Sequence, residues 1–192
     1  METKNIMIVG VGGQGTLLAS KLLGRILLKK GYDVKVSEVH GMSQRGGSVV
    51  TYVRYGDKVY SPIIDKGEAD IIISFELLEA ARWLEYLKPD GVLISNLQEV
   101  NPMPVITGAM NYPENLADKL SAKAAEKGFT FDGVDALDLA VQAGSARSVN
   151  IVLMGRSSRY FDFAEEDWMS AIEESLKESL HAINKKAFML GK

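Results

Sequence analysis

Hydrophobic and polar positions change their spacing several times along the chain, starting near the N-terminus. Residues 5–10, NIMIVG, form a short apolar run that ends in glycine, which predicts a buried parallel strand. In residues 15–31 the apolar positions follow a helical stripe, and the stripe ends at Gly31, a residue suited to a helix C-terminal cap. Residues 32–39, YDVKVSEV, alternate between apolar and polar and predict the second strand.

The rest of the chain continues this alternation of strands and helices. Residues 48–61 contain two alternating runs around Gly56 and Asp57, which predict an antiparallel hairpin. The pattern then predicts strands at 69–75, 91–96, 104–107 and 129–134, a turn at 88–91, helices at 76–87 and 113–128, and a helical segment from 136 onward. We therefore predict an α/β fold with three layers: a mostly parallel, Rossmann-like sheet with an inserted β-hairpin, and a helical C-terminus, in a single domain over residues 1–192.

Composition and charge exclude several classes of protein. The chain is 46% hydrophobic and 24% charged, which is typical of a globular domain, and its net charge of −3 gives no reason to expect nucleic acid binding. No apolar run approaches the roughly 20 residues that span a bilayer, so no membrane association is expected. The N-terminus leads directly into the first predicted strand and leaves no room for a signal peptide. A cytoplasmic protein is the expectation.

Cysteine and histidine counts limit the redox and metal chemistry of the chain. It has no cysteine and two histidines. Disulfides, cysteine nucleophiles and cysteine-ligated iron–sulfur clusters are therefore impossible here, and we expect no metal site. Any redox chemistry must place its electrons on another chain or on a dissociable cofactor.

The segment GVGGQG, between the first strand and the first helix, is the first candidate binding loop. Glycines at such a turn let a phosphate approach the N–H groups of the following helix. Glu38, at the end of the second strand, lies where a dinucleotide site would hold the ribose. A tight turn that binds nothing also requires glycine, so the spacing alone leaves both interpretations open. The candidate residues are Gly10, Gly12, Gly13, Gln14, Gly15 and Glu38.

A second glycine-rich loop, EVHGMSQRGG, follows the second strand. Loops at the carboxyl ends of neighbouring strands share one crevice in an open α/β sheet, so this loop should lie near the first. Arg45 there is a candidate anion clamp, although a salt bridge within the loop is an equal alternative. The further candidates from this loop are His40, Ser43 and Gln44.

Together, GVGGQGTLLASKLLG and SEVHGMSQRGGSVV resemble the gamma-type domain of the 2-oxoacid:ferredoxin oxidoreductase family. The resemblance covers essentially the whole chain and extends to GSARSVNIVLMGRSSRYFDF. The residues HGMSQ before the final Arg-Gly-Gly favour the aryl-pyruvate branch, with substrates such as indolepyruvate.

The resemblance implies a division of labour between two subunits. A large alpha subunit would carry thiamine diphosphate and 4Fe–4S clusters. This chain would contribute loops that bind coenzyme A phosphates or that wall off the active site of the partner. The hetero-oligomer would decarboxylate an aryl 2-oxoacid oxidatively, form acyl-CoA and reduce ferredoxin, and the chain alone would be inactive. No catalytic residue is assigned to it.

Two alternatives remain open from the residues themselves. One is a free-standing NAD(P)-dependent oxidoreductase, which the glycine spacing and Glu38 favour. The other is a nucleotide-binding module without catalysis, in which the glycine turn receives a phosphate.

Overall fold

A six-stranded mixed sheet organises the part of the chain that the computed structural model describes, residues 1–41 and 46–192. Its strands are β1 (Lys4–Val11), β2 (Asp33–His40), β3 (Ser48–Gly56), β4 (Ala69–Ser74), β5 (Leu87–Asn96) and β6 (Thr130–Val134). Their spatial order is β2-β3-β1-β4-β5-β6. Strands β1, β4, β5 and β6 are parallel, whereas β3 is antiparallel to both of its neighbours. The predicted fold class is confirmed.

Helices cover both faces of this sheet. They are α1 (Thr16–Lys29), α2 (Leu77–Trp83), α3 (Met103–Ile106), α4 (Leu116–Lys127), α5 (Ala136–Ala143), α6 (Val149–Ser157), α7 (Glu165–Ser175) and α8 (His181–Gly191). The core on one face includes apolar residues of α1 and of the four C-terminal helices, and the core on the other face includes residues of α2 and α4. Because α1 and α2 follow neighbouring strands but lie on opposite faces, a crevice forms between the ends of β1 and β4.

The C-terminal helices pack unusually closely against one another. A methyl group on Gly155 of α6 would lie 2.1 Å from the carbonyl oxygen of Phe188, and one on Gly191 of α8 would lie 2.1 Å from that of Val152. Only glycine permits this approach of two backbones. The crossing brings Phe188 into the core, where its ring contacts Trp168 at a centroid distance of 5.5 Å.

The antiparallel hairpin is present but is formed by different strands from those predicted. Strand β3 pairs with β2, with Glu38 opposite Thr51, and the connection between them is the loop that follows His40. Residues 57–68, all of which are described, join no strand. Instead, Arg54 of β3 donates hydrogen bonds to the carbonyl oxygens of Ser61 and Ile63 in this segment, at 3.0 and 2.8 Å. The prediction of a turn at Gly56 and Asp57 between two paired strands is wrong. The segment after Asp57 is held by the Arg54 side chain and not by a backbone ladder.

Two local predictions around β5 are also wrong. Residues 104–107 were expected to form a strand, but α3 includes most of them, because Pro102 and Pro104 fix backbone angles that suit the first turn of a helix. The predicted turn at 88–91 lies inside β5, at a point where pairing with β4 shifts its register between Leu87 and Val92. The other predicted strands and helices are present. Within the described ranges, the longest helices are too short or too polar to cross a membrane.

Candidate functional site

The glycine loop between β1 and α1 is built around two left-handed backbone positions. Gly13 has φ +100° and Gly15 has φ +87°, and both values favour glycine. Gly15 is also the N-cap of α1, so no side chain caps that helix. The first turn of the helix also contains no acidic residue. The loop is tied to the start of β3, because Gly12 N–H donates to the carbonyl oxygen of Gly47 at 2.9 Å.

The side chain of Gln14 folds back into the crevice between β1 and β4. Its Oε1 accepts a hydrogen bond from Val11 N–H at 2.7 Å, and its Nε2 donates to the carbonyl oxygen of Phe75 at 3.1 Å. A methyl group on Gly10 would lie 2.9 Å from that Oε1 and 2.9 Å from Phe75 Cβ. Gly10 and Gln14 therefore close the crevice with protein atoms, and Gly10 serves the packing of the turn.

An open cleft remains beside the loop, on the α1 side. Its volume is about 440 Å³. Its walls are Gly13, Gln14, Gly15, Gln98, Leu137, Ala146, Arg147 and Val149. Arg147 is the one charged residue of these walls; it is exposed and makes no ion pair with any described carboxylate. Arg147 is not among the residues predicted from the sequence, although the segment GSARSVN, with a cation in a turn between two helices, carries the signal.

Glu38 and His40 lie away from this cleft, on β2. The pairing places His40 opposite Val49 and Val49 opposite Gly10, so β3 stands between them, and the two outer strands are about 10 Å apart. Glu38 accepts from Thr51 Oγ1 at 3.2 Å and lies 2.6 Å from His40 Nε2. Glu38, the acidic residue that a dinucleotide site would need, is therefore held by Thr51 and His40, and β3 separates its strand from the glycine loop.

Ser43, Gln44 and Arg45 lie outside the described residues. The described ends of their loop, Gly41 and Gly46–Gly47, stand at the carboxyl edge of the sheet, and Gly47 accepts the hydrogen bond from Gly12 of the glycine loop. Their role as candidate ligand residues stays a prediction.

A buried carboxylate that the sequence analysis did not single out organises the other side of the same edge. Glu76, the N-cap of α2, is 1% exposed. It accepts hydrogen bonds from Glu79 N–H at 2.9 Å, Val100 N–H at 3.0 Å and the Tyr112 hydroxyl at 2.6 Å. Burial and the hydrogen bond to this carboxylate raise the pKa of Tyr112 well above its usual range. The segment after β5 is thereby fixed against α2.

That segment carries an exposed apolar surface. Met103, Ile106 and Met110 are each 65% exposed, and Met103 and Met110 line a cavity of about 450 Å³. We call these three residues the apolar patch. Arg82 of α2, whose Nε lies 3.5 Å from Glu79, lines the same cavity.

The described part of the chain offers no group of side chains suited to hold a metal ion. Residues 1–41 and 46–192 contain no cluster of three or more His, Cys, Asp or Glu side chains placed to hold a metal ion.

Comparisons with known proteins give the chain its family. Residues 5–192 match the family described as pyruvate ferredoxin/flavodoxin oxidoreductase. The chain is 42% identical to the indolepyruvate oxidoreductase subunit IorB of Thermococcus kodakarensis, over 100% of this chain and 95% of that one. It is 36% identical to the subunit of the same name from Archaeoglobus fulgidus, over 97% of this chain and 92% of that one.

Solved structures share the fold at lower identity. The pyruvate oxidoreductase subunit PORC of Thermotoga maritima superposes with a TM-score of 0.73 at 21% identity, covering 100% of this chain and 96% of that one. A 2-oxoglutarate:ferredoxin oxidoreductase of Magnetococcus marinus, solved with 2-oxoglutarate, coenzyme A and succinyl-CoA bound, gives 0.75 at 18% identity and covers 100% of this chain but 30% of that one. The chain therefore belongs to the pyruvate ferredoxin/flavodoxin oxidoreductase family, which confirms its predicted role as an oxidoreductase subunit.

Proposed function

We propose that this chain is the small subunit of an indolepyruvate ferredoxin oxidoreductase. With a large subunit it would decarboxylate aryl pyruvates oxidatively, transfer the acyl group to coenzyme A and reduce ferredoxin. The observation that carries the proposal is the full-length identity of 42% to an indolepyruvate oxidoreductase subunit. The aryl-pyruvate assignment made from HGMSQ agrees with it.

The large subunit would hold thiamine diphosphate and the 4Fe–4S clusters. Clusters of this kind need thiolate ligands, and this chain has no cysteine. The described residues share one sheet with a core on each face, which supports a single domain over 1–192 as the contribution of this chain. Its cytoplasmic location stays a prediction.

Coenzyme A is the ligand proposed for the cleft beside the glycine loop. When bound, coenzyme A supplies the thiol that accepts the acyl group. The residues here would bind its phosphates: the first turn of α1 begins at Gly15 without a side-chain cap, and Arg147 provides a positive charge across the cleft. Gly12, Gly13 and Gln14 shape the turn, and Ser43, Gln44 and Arg45 would approach from the neighbouring loop.

The large subunit is the proposed partner of the apolar patch. Met103, Ile106 and Met110 stand at the carboxyl edge of the sheet, on the same edge as the glycine loop. A docked subunit would cover these side chains and place its active site next to the cleft. Contacts between permanent partners have such apolar centres.

Coexpression of this chain with a large thiamine-dependent subunit tests the proposal. We expect one complex on sizing chromatography, with indolepyruvate- and coenzyme A-dependent ferredoxin reduction that neither chain supports alone. Separate elution of the two chains at micromolar concentration, or full activity of this chain without its partner, would overturn the proposed function.

A further inference from the structure

A cavity lies at the amino-terminal edge of the sheet, where β5 begins and the chain enters β6. We call it the β5 cavity. Its volume is about 440 Å³, within the range of roughly 300–1,000 Å³ that is usual for small-molecule sites in proteins. Because β1, β4, β5 and β6 are parallel, this edge is opposite to the one at which β1 leads into the glycine loop. The β5 cavity is therefore separate from the cleft proposed for coenzyme A.

Apolar side chains line much of the β5 cavity. Leu87 and Phe129 are 7% and 8% exposed and belong to the core that α2 and α4 cover. Ala81 and Leu84, at the end of α2, are partly buried against the same core and also line the cavity. An apolar molecule placed here would extend the core and would release water from both surfaces. The cavity thus suits a ligand with an apolar body.

Two charged side chains at the β5 cavity already have partners. Glu85 lies 2.8 Å from Lys66 Nζ, and Lys88 Nζ lies 2.7 Å from Asp70. Each pair is neutral as a whole. These two wall residues therefore leave no net charge for a ligand to match.

Lys123 and Lys127 supply an unmatched positive charge. They are four positions apart on α4, so they project from one face of the helix, and both line the cavity. Lys127 Nζ lies 3.1 Å from Glu126, but both side chains are mostly exposed, and exposed pairs of this kind hold a lysine only weakly. Lys123 makes no ion pair with any carboxylate in residues 1–41 and 46–192. The charge at the cavity is therefore complementary to an anion.

We infer that the β5 cavity binds a monocarboxylate with an apolar body. The carboxylate pairs with Lys123 and Lys127, and the apolar body lies against Leu87 and Phe129. A fatty acid and an aryl acid share this chemistry, and their relative affinities distinguish them. The inference does not rest on the proposed function, because it uses no residue of the cleft beside the glycine loop or of the apolar patch.

Methyl NMR of the full chain tests the inference at the cavity itself. Signals of Ala81, Leu84 and Leu87 report on its walls, and Ala140, which is buried in the core on the other face of the sheet, is the internal reference. The probes are octanoate, an aliphatic acid, and indole-3-acetate, an aryl acid. Octylammonium, which has a chain of the same length and the opposite charge, is the matched control.

We expect at least one of the two carboxylates to shift the wall signals in a saturable way and to leave the Ala140 signal unchanged. Tighter binding of octanoate would identify an aliphatic acid as the ligand, and tighter binding of indole-3-acetate would identify an aryl acid. Octylammonium should bind at least about fivefold more weakly than octanoate, because the lysines repel it.

Two substitutions test the assigned walls. Lys123→Glu replaces attraction by repulsion and should weaken carboxylate binding at least about fivefold. Lys119→Glu, at an exposed lysine of the same helix that does not line the cavity, should bind like the wild type. Ala81→Phe fills the cavity and should abolish binding without a change of charge.

Three results would overturn the inference. They are the absence of saturable shifts in the wall signals with either carboxylate, octylammonium binding as tight as that of octanoate, and wild-type carboxylate affinity in Lys123→Glu or Ala81→Phe.

Discussion

Gln14 joins the ends of two neighbouring parallel strands by a hydrogen bond to Phe75: its Nε2 donates to the carbonyl oxygen of Phe75 at 3.1 Å. The same carbonyl also accepts from Asn96 Nδ2 at 3.2 Å, on the next strand. Two side-chain amides thus connect β1, β4 and β5 at their carboxyl ends. In this turn the Gln14 side chain fills the crevice between β1 and β4, and the open cleft lies on the α1 side.

Gln14→Ala should destabilise the protein. Val11 N–H loses its acceptor and is left partly buried, which costs about 1–3 kcal/mol. Urea unfolding at constant m-value would measure the change. Gln142→Ala is the control, because that exposed glutamine contacts Asp138 within one helix, a pair worth roughly 0.2–0.5 kcal/mol. Equal effects of the two substitutions would contradict the role given to Gln14.

Gly155→Ala should disrupt the crossing of α6 and α8. Its methyl group would lie 2.1 Å from a backbone oxygen, which cannot move aside as a side chain can, so we expect a loss of at least about 3 kcal/mol or no folded protein. Gly24→Ala in α1 meets no atom within 4 Å and should stabilise by roughly 0.5–1 kcal/mol through helix propensity. Thermal unfolding of both variants provides the comparison, and a Gly155→Ala variant as stable as the wild type would show that the two helices can separate.

Ile106→Asp should weaken assembly with the large subunit. The substitution places a charge within the apolar patch, and we expect the dissociation constant to rise at least about tenfold, or 1.4 kcal/mol. Leu28→Asp is the control: Leu28 is 63% exposed, close to the 65% of Ile106, but lies near the far end of α1. Sedimentation or surface binding measurements would detect the difference. Assembly of Ile106→Asp at wild-type affinity would exclude the patch from the interface.

Stability should fall at alkaline pH through Tyr55. Burial raises the pKa of the Tyr55 phenol to about 12, above the value near 10 of an unfolded tyrosine. The contribution is therefore complete below pH 10 and is lost as pH rises towards 12, by up to about 2 kcal/mol. Unfolding free energies of the wild type and Tyr55→Phe between pH 8 and 12 would test this. The wild type should lose more stability over this range, and parallel profiles would contradict the assignment.

Local patterns of the sequence determined much of the fold. The apolar run 5–10, the stripe of α1 with its glycine end, and the helical C-terminus follow from spacings of two or of about 3.6 residues, which neighbours in sequence impose. The glycine loop was likewise identified correctly as a strand-to-helix turn, since the backbone angles of Gly13 and Gly15 demand glycine. Family membership also followed from two loops whose residues can be read directly.

Tertiary structure alone decided which elements became neighbours. The sequence placed Glu38 at the end of the strand after α1, but nothing local indicates that β3 inserts between that strand and β1. The order of the strands depends on how distant parts of the chain pack together. The insertion of β3 moves Glu38 and His40 away from the cleft. For the same reason Arg147, more than 130 positions after the glycine loop in the chain, could not be placed beside that loop until α6 was packed against α1. The chain specifies each turn and helix through near neighbours, whereas the cleft beside the glycine loop arises from contacts between residues distant in sequence.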